Sequence, residues 1–134
     1  MTTGLLLITH DNVGQAMLET ASSILGMCPM VLEIISVSHN CCPDDVVEKA
    51  GAAVRRLDKG GGVLVLTDLY GSTPSNVANR LECDRPIKVI AGLNLPMLVR
   101  ILNYPTLALD ELVYKAVSGG RDGIFVCEPD SCDL

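Results

Sequence analysis

Three short stretches of the 134-residue chain carry side chains suited to chemistry, and each follows an apolar run. His10 follows Gly4-Leu5-Leu6-Leu7-Ile8-Thr9, Asp68 follows Gly62-Val63-Leu64-Val65-Leu66-Thr67, and Asn94 comes shortly after Ile87–Ala91. A neutral imidazole has one free ring nitrogen that acts as a nucleophile. A carboxylate on its other nitrogen fixes the tautomer and stabilises the imidazolium that forms. Beside Asp68 lies Gly71-Ser72-Thr73-Pro74-Ser75, which leads into a helix. Its backbone N–H groups, the hydroxyls of Ser72 and Thr73 and the positive helix end suit an anion. Histidine, carboxylate and anion cradle together point to phosphoryl transfer through a phosphohistidine, with His10 and Asp68 as catalytic residues and Ser72 and Thr73 as phosphoryl contacts. Taken singly, each has a plainer reading: a solvated histidine, a turn-capping aspartate, a good helix start.

The elements that position these residues follow from periodicity. Gly4–Thr9, Val31–Val37, Gly62–Thr67 and Ile87–Ala91 are short, mostly apolar runs bounded by turn residues, as expected of strands buried on both faces. Helical spacing covers Gly14–Leu25, Pro43–Leu57, a short helix opening with Thr73 as N-cap and Pro74 as first residue, Pro96–Leu102 and Leu109–Val117. Gly26 ends the first helix, and Gly119-Gly120 is expected to stop the last. Gly123–Cys127 reads as a final short strand before a polar tail. This alternation predicts an α/β fold: a mostly parallel open sheet, order 2-1-3-4, with helices on both faces and a C-terminal edge strand that could run antiparallel. In that order the strands ending at His10 and Asp68 are neighbours where the chain reverses direction, which is where open α/β sheets bind ligands. Thr9 and Asn94, at the same edge, would support the site. Residues 1–134 are expected to form one domain.

Composition excludes several classes. The net charge of −6 argues against nucleic acid as a partner and permits a basic protein or a small ligand. No GxxxxGK[ST] motif occurs, and Lys59-Gly60-Gly61-Gly62 precedes a strand, the wrong side for a phosphate loop. The phosphoryl donor would therefore be another protein and not ATP, and no cofactor is expected. Cysteines 28, 41, 42, 83, 127 and 132 show no CxxC pair and no disulfide-like spacing. With no basic leader and no apolar stretch of spanning length, they point to a reduced, cytoplasmic setting and no direct membrane insertion.

Gly4-to-His10, the run Gly62-to-Asp68 with Gly71-Ser72-Thr73-Pro74-Ser75-Asn76, the segment Ile90-Ala91-Gly92-Leu93-Asn94-Leu95-Pro96-Met97, and a last helix ending in Gly119-Gly120-Arg121-Asp122-Gly123 carry a family resemblance. Over nearly its whole length the chain resembles the enzyme IIA component of the mannose/fructose family of the bacterial phosphoenolpyruvate-dependent sugar phosphotransferase system. The resemblance implies that His10 takes a phosphoryl group from the histidine phosphocarrier protein and passes it to a IIB-type protein histidine. It further implies that Asp68 is the partner carboxylate, that the Thr73 hydroxyl contacts the phosphoryl group, and that the chain forms a homodimer in which the last strand joins the partner's sheet.

Other readings stay open. His39-Asn40-Cys41-Cys42 departs from the family pattern. It suggests a second phosphoryl acceptor or a metal site, although its spacing matches no known zinc motif, so no metal is expected. A regulatory module controlled by phosphorylation at His10, without sugar transport, is an alternative. So is the subunit serving a dihydroxyacetone kinase, although the Asp68–Asn76 segment fits the mannose/fructose branch better.

Overall fold

A computed structural model describes residues 2–81 and 85–129. The order of elements is β1 (Gly4–His10), α1 (Val13–Leu25), β2 (Leu32–Val37), α2 (Pro43–Leu57), β3 (Val63–Thr67), α3 (Thr73–Asn79), β4 (Ile87–Ala91), α4 (Leu95–Leu102) and α5 (Leu109–Asp122). The four strands form one sheet, order β2-β1-β3-β4, with every pairing parallel. This is the expected α/β architecture.

The two central strands explain why the sheet holds. Leu5 to Ile8 of β1 and Val63 to Leu66 of β3 are fully buried. Their side chains alternate between the faces, so each face has its own core. Leu5, Leu7, Leu64 and Leu66 meet α4, α5 and part of α1 through Leu98, Ile101, Leu112 and Ala21. Leu6, Ile8, Val63 and Val65 meet α2 and α3 through Ala50, Val54, Leu57 and Val77. Each such leucine or valine contributes about 1.5–3 kcal/mol by leaving water.

Local chemistry sets the helix ends. Pro43 opens α2, with Asp44 and Asp45 in its first turn and Arg55 and Arg56 in its last, which matches the helix dipole at both ends. Gly26 closes α1 in the left-handed conformation at φ 79°, and its N–H donates to the Ser22 carbonyl. After α2, one Asp58 carboxylate oxygen accepts the N–H groups of Gly60 and Gly62, at 2.8 and 3.0 Å, and the other faces Arg85 at 3.2 Å. These bonds, the Gly60 N–H foremost, hold the Asp58 carboxyl below the usual carboxylate range and fix the entry to β3.

Two elements differ from the sequence reading. The last helix does not stop at Gly119-Gly120 but runs on to Asp122. Both glycines are buried where α5 meets α4: a Cβ on Gly119 would lie 2.6 Å from the Arg100 Cβ, and one on Gly120 would lie 2.9 Å from the Met97 Cε. Close packing offsets the propensity cost of about 1 kcal/mol per glycine. Residues 124–129 are exposed and form neither helix nor strand within the single chain, so the sheet here has four strands. Cys83 and Cys132 lie outside the described residues.

Candidate active site

His10 is the last residue of β1, and Asp68 is the first residue after β3. The two strands are adjacent, with Ile8 opposite Thr67, so their carboxyl ends emerge side by side. From β1 the chain crosses to β2 on one side, and from β2 it returns past β1 to β3 on the other, so the pair sits at the switch point. The Asp68 Oδ2 atom lies 2.9 Å from His10 Nδ1 and also accepts the His10 backbone N–H at 3.0 Å. Because an ionised carboxylate only accepts, the ring proton belongs on Nδ1 and the Nε2 lone pair is free. The His10 side chain is 42% exposed and that of Asp68 only 13%, so the imidazole faces solvent while its partner is shielded. Asp68 Oδ1 and the buried Thr67 hydroxyl have no hydrogen-bond partner among the described residues.

The turn that aims His10 is over-determined. Thr9 is fully buried, and its hydroxyl oxygen accepts the Gly14 N–H at 2.8 Å. A Cβ on Gly14 would come within 2.8 Å of that same oxygen, so only glycine lets α1 start this close to β1. Asp11 takes the left-handed conformation, φ 39°, and donates its N–H to the Val37 carbonyl at 3.0 Å. For a residue other than glycine this stores about 1–3 kcal/mol of strain. Sequence reasoning saw only a turn here. The Asp11-Asn12 pair is the available signal, since among residues other than glycine these two types tolerate that conformation best.

The expected phosphoryl contacts are arranged differently from the sequence reading. Ser72, not Thr73, is the N-cap of α3, Thr73 is the first helical residue and Pro74 the second. The Ser72 hydroxyl donates to the Leu69 carbonyl at 2.5 Å, which closes the β3–α3 loop on itself. Thr73 is exposed, and its hydroxyl makes no hydrogen bond among the described residues. The first-turn N–H groups of α3 have no intrahelical partners. Asn94 caps α4: its Oδ1 accepts the Met97 N–H at 2.9 Å, and its amide donates to the Gly120 carbonyl at 3.2 Å. Its side chain thus fastens α4 to α5 and makes no hydrogen bond to His10 or Asp68.

His39 sits exposed in the turn after β2. Cys42 is exposed at the N-cap of α2, while Cys41 packs against the core on the α2 side. The two neighbouring thiols therefore occupy different surroundings, and among the described residues no group of three or more His, Cys, Asp or Glu side chains is placed to hold a metal ion. No helix among the described residues is long and apolar enough to cross a membrane.

Comparison with known proteins agrees with this fold. The family model described as the fructose IIA component of the phosphotransferase system matches residues 4–117. The chain is 37% identical over 127 residues to the mannose-specific EIIAB component of Escherichia coli (strain K12), covering 92% of this chain but only 39% of that longer protein. It is 30% identical over 121 residues to the transcriptional regulatory protein LevR of Bacillus subtilis (strain 168), covering 86% of this chain and 12% of LevR. Among solved structures, the mannose/sorbose-specific IIA subunit of the phosphotransferase system from Enterococcus faecalis superposes with a TM-score of 0.85 at 27% identity, covering 98% of both chains. A strand-end histidine held by a carboxylate at the switch point, on this sheet and with these matches, places the chain in the mannose/fructose family of phosphotransferase-system IIA components.

Proposed function

We propose that this chain is a phosphoryl relay in which His10 takes a phosphoryl group on Nε2 from the histidine phosphocarrier protein and yields it to a IIB-type protein histidine. The observation that carries this reading is the 2.9 Å pairing of Nδ1 with Asp68, which leaves Nε2 as the exposed nucleophile. In the transfer the P–N bond of the donor histidine breaks and a P–Nε2 bond forms. The donor imidazole leaves with the bonding pair. The His10 proton stays on Nδ1, where Asp68 stabilises the positive charge that appears on the ring. Thr73, through its free hydroxyl and N–H, is the phosphoryl contact. Ser72 serves by shaping the loop, its hydroxyl being engaged by the Leu69 carbonyl, and Thr9 and Asn94 support the scaffold.

The test is intact mass after incubation with enzyme I, the histidine phosphocarrier protein and phosphoenolpyruvate. The expected result is an acid-labile gain of one phosphoryl group. No gain overturns the relay. A regulatory role, with His10 phosphorylation controlling a partner, is the second reading. It is favoured by the match to LevR, a transcriptional regulatory protein.

The homodimer belongs to the same proposal. Ile124, Phe125 and Val126 are 74%, 73% and 90% exposed, and the outer edge of β4 is unpaired in the described sheet. An apolar strand-length segment and an open edge suit each other in a second copy. Light scattering is expected to give twice the 14.2 kDa chain mass. A monomer at micromolar concentration would remove the dimer from the reading.

A further inference from the structure

Two large side chains stand out beside the site without taking part in its chemistry. Leu69 and Tyr70 follow Asp68 directly and are 61% and 80% exposed. The core does not need them, since Leu64, Val65 and Leu66 of the adjoining strand are already fully buried. Nor is the loop that displays them loose. It is fixed at one end by Asp68 on His10 and closed by the Ser72 hydroxyl and N–H on the Leu69 carbonyl, at 2.5 and 3.3 Å. Gly71 supplies the left-handed turn at φ 83°. All four aromatic residues of the chain are exposed, and Tyr70, the most exposed of them at 80%, is the one held two residues from Asp68. A rigid, exposed aromatic–aliphatic pair loses little freedom on binding and is the type of anchor that dominates protein interfaces.

Resting on the phosphoryl-relay reading, we infer that Leu69 and Tyr70 are the docking anchor for the protein that brings its phosphohistidine to His10. The occupant is a protein because in the relay reading the phosphoryl group arrives on a protein histidine, to which the 42% exposed His10 side chain is open. It is a protein with an apolar spot and basic residues around its histidine, because the surrounding edge is acidic. Asp11 follows β1, and Asp44 and Asp45 open α2; all three are exposed, and Asp44 alone of them has an ion-pair partner, Arg80 at 2.8 Å. Val13, 37% exposed at the start of α1, adds apolar surface at the same sheet edge.

The experiment compares two donors on one pair of variants. Phosphoramidate is a small donor whose P–N bond breaks with loss of ammonia, and it needs no docking surface. In the double variant Leu69→Ala/Tyr70→Ala, transfer from the phosphorylated carrier protein is expected to slow roughly 10–100-fold through a raised KM. Labelling by phosphoramidate should stay within about twofold, and Tyr70→Phe should keep most of the protein-donor rate, because the ring supplies most of the buried area. An unchanged protein-donor rate in the double variant overturns the inference. Equal slowing with both donors also overturns it, since the loop would then be shaping the site itself. A wild-type chain that takes phosphoryl from neither donor overturns the relay reading and this inference with it.

Discussion

In a His10→Ala variant the acid-labile mass gain is expected to disappear, while far-ultraviolet circular dichroism and the urea midpoint stay close to wild type. The loss in rate should exceed about 10³-fold, because removal of a nucleophile leaves only binding and donor contacts. Stability should change by about 1 kcal/mol, the worth of one hydrogen bond at a part-exposed position. Asp68 is not stranded by the change, since its Oδ2 still accepts the backbone N–H of residue 10. The chain has only one other histidine, His39. A phosphoryl adduct that persisted on the variant would move the acceptor to His39, and one that vanished with a collapsed urea midpoint would report unfolding instead of lost chemistry.

The second large effect is at Asp68, and here the shared acceptor separates two roles. Oδ2 accepts both the His10 N–H and the ring N–H. In Asp68→Asn, the amide oxygen placed in the Oδ2 position keeps both bonds, and with them the ring orientation and tautomer, but the negative charge is gone. Transfer from the phosphorylated carrier protein is expected to fall about 10–100-fold, the cost of about 1.4–2.7 kcal/mol of lost stabilisation of the cationic ring. Asp68→Ala removes the bonds as well. It should fall at least a further tenfold and lose about 1–3 kcal/mol of stability, because the His10 N–H loses its partner. Single-turnover transfer measured on both variants decides the matter. An unchanged rate for the asparagine variant would remove the charge from the mechanism. Equal rates for asparagine and alanine would mean that orientation contributes nothing.

Much of this was legible in the residues themselves. The bounds of α2 and β4 come out as expected, because Pro43, the flanking charges and the short β-branched run act locally. The parallel sheet follows from burial on both faces and from crossover rules, and the facing of His10 and Asp68 follows once the strands take the order 2-1-3-4. What was not legible depends on contacts between distant segments. Gly119 and Gly120 look like a helix stop until Arg100 and Met97 are seen to occupy the space their side chains would need. Ser72 reads as a phosphoryl contact from its place before α3, and that its hydroxyl donates to the Leu69 carbonyl shows only in three dimensions. Asn94 shares the edge with the site, yet its amide is committed to Met97 and Gly120. In each case the partner of the residue is set by three-dimensional packing.

The fastening of α5 by Asn94 has a consequence for architecture. Gly120 is tied to the residue that opens α4, and Gly123 packs against Pro96 of the same turn. The chain therefore leaves α5 at the edge of the sheet that bears His10, whereas Thr3, held to the Leu107 carbonyl, leaves from the opposite edge. A module tethered after α5 starts its reach on the sheet edge that bears His10. A short flexible tether of that kind gives an effective concentration in the millimolar range, enough to turn a weak encounter into a mostly engaged one. A module tethered ahead of β1 would first have to span the full length of the sheet. Geometry thus favours a tether at the carboxyl end of α5 over one ahead of β1.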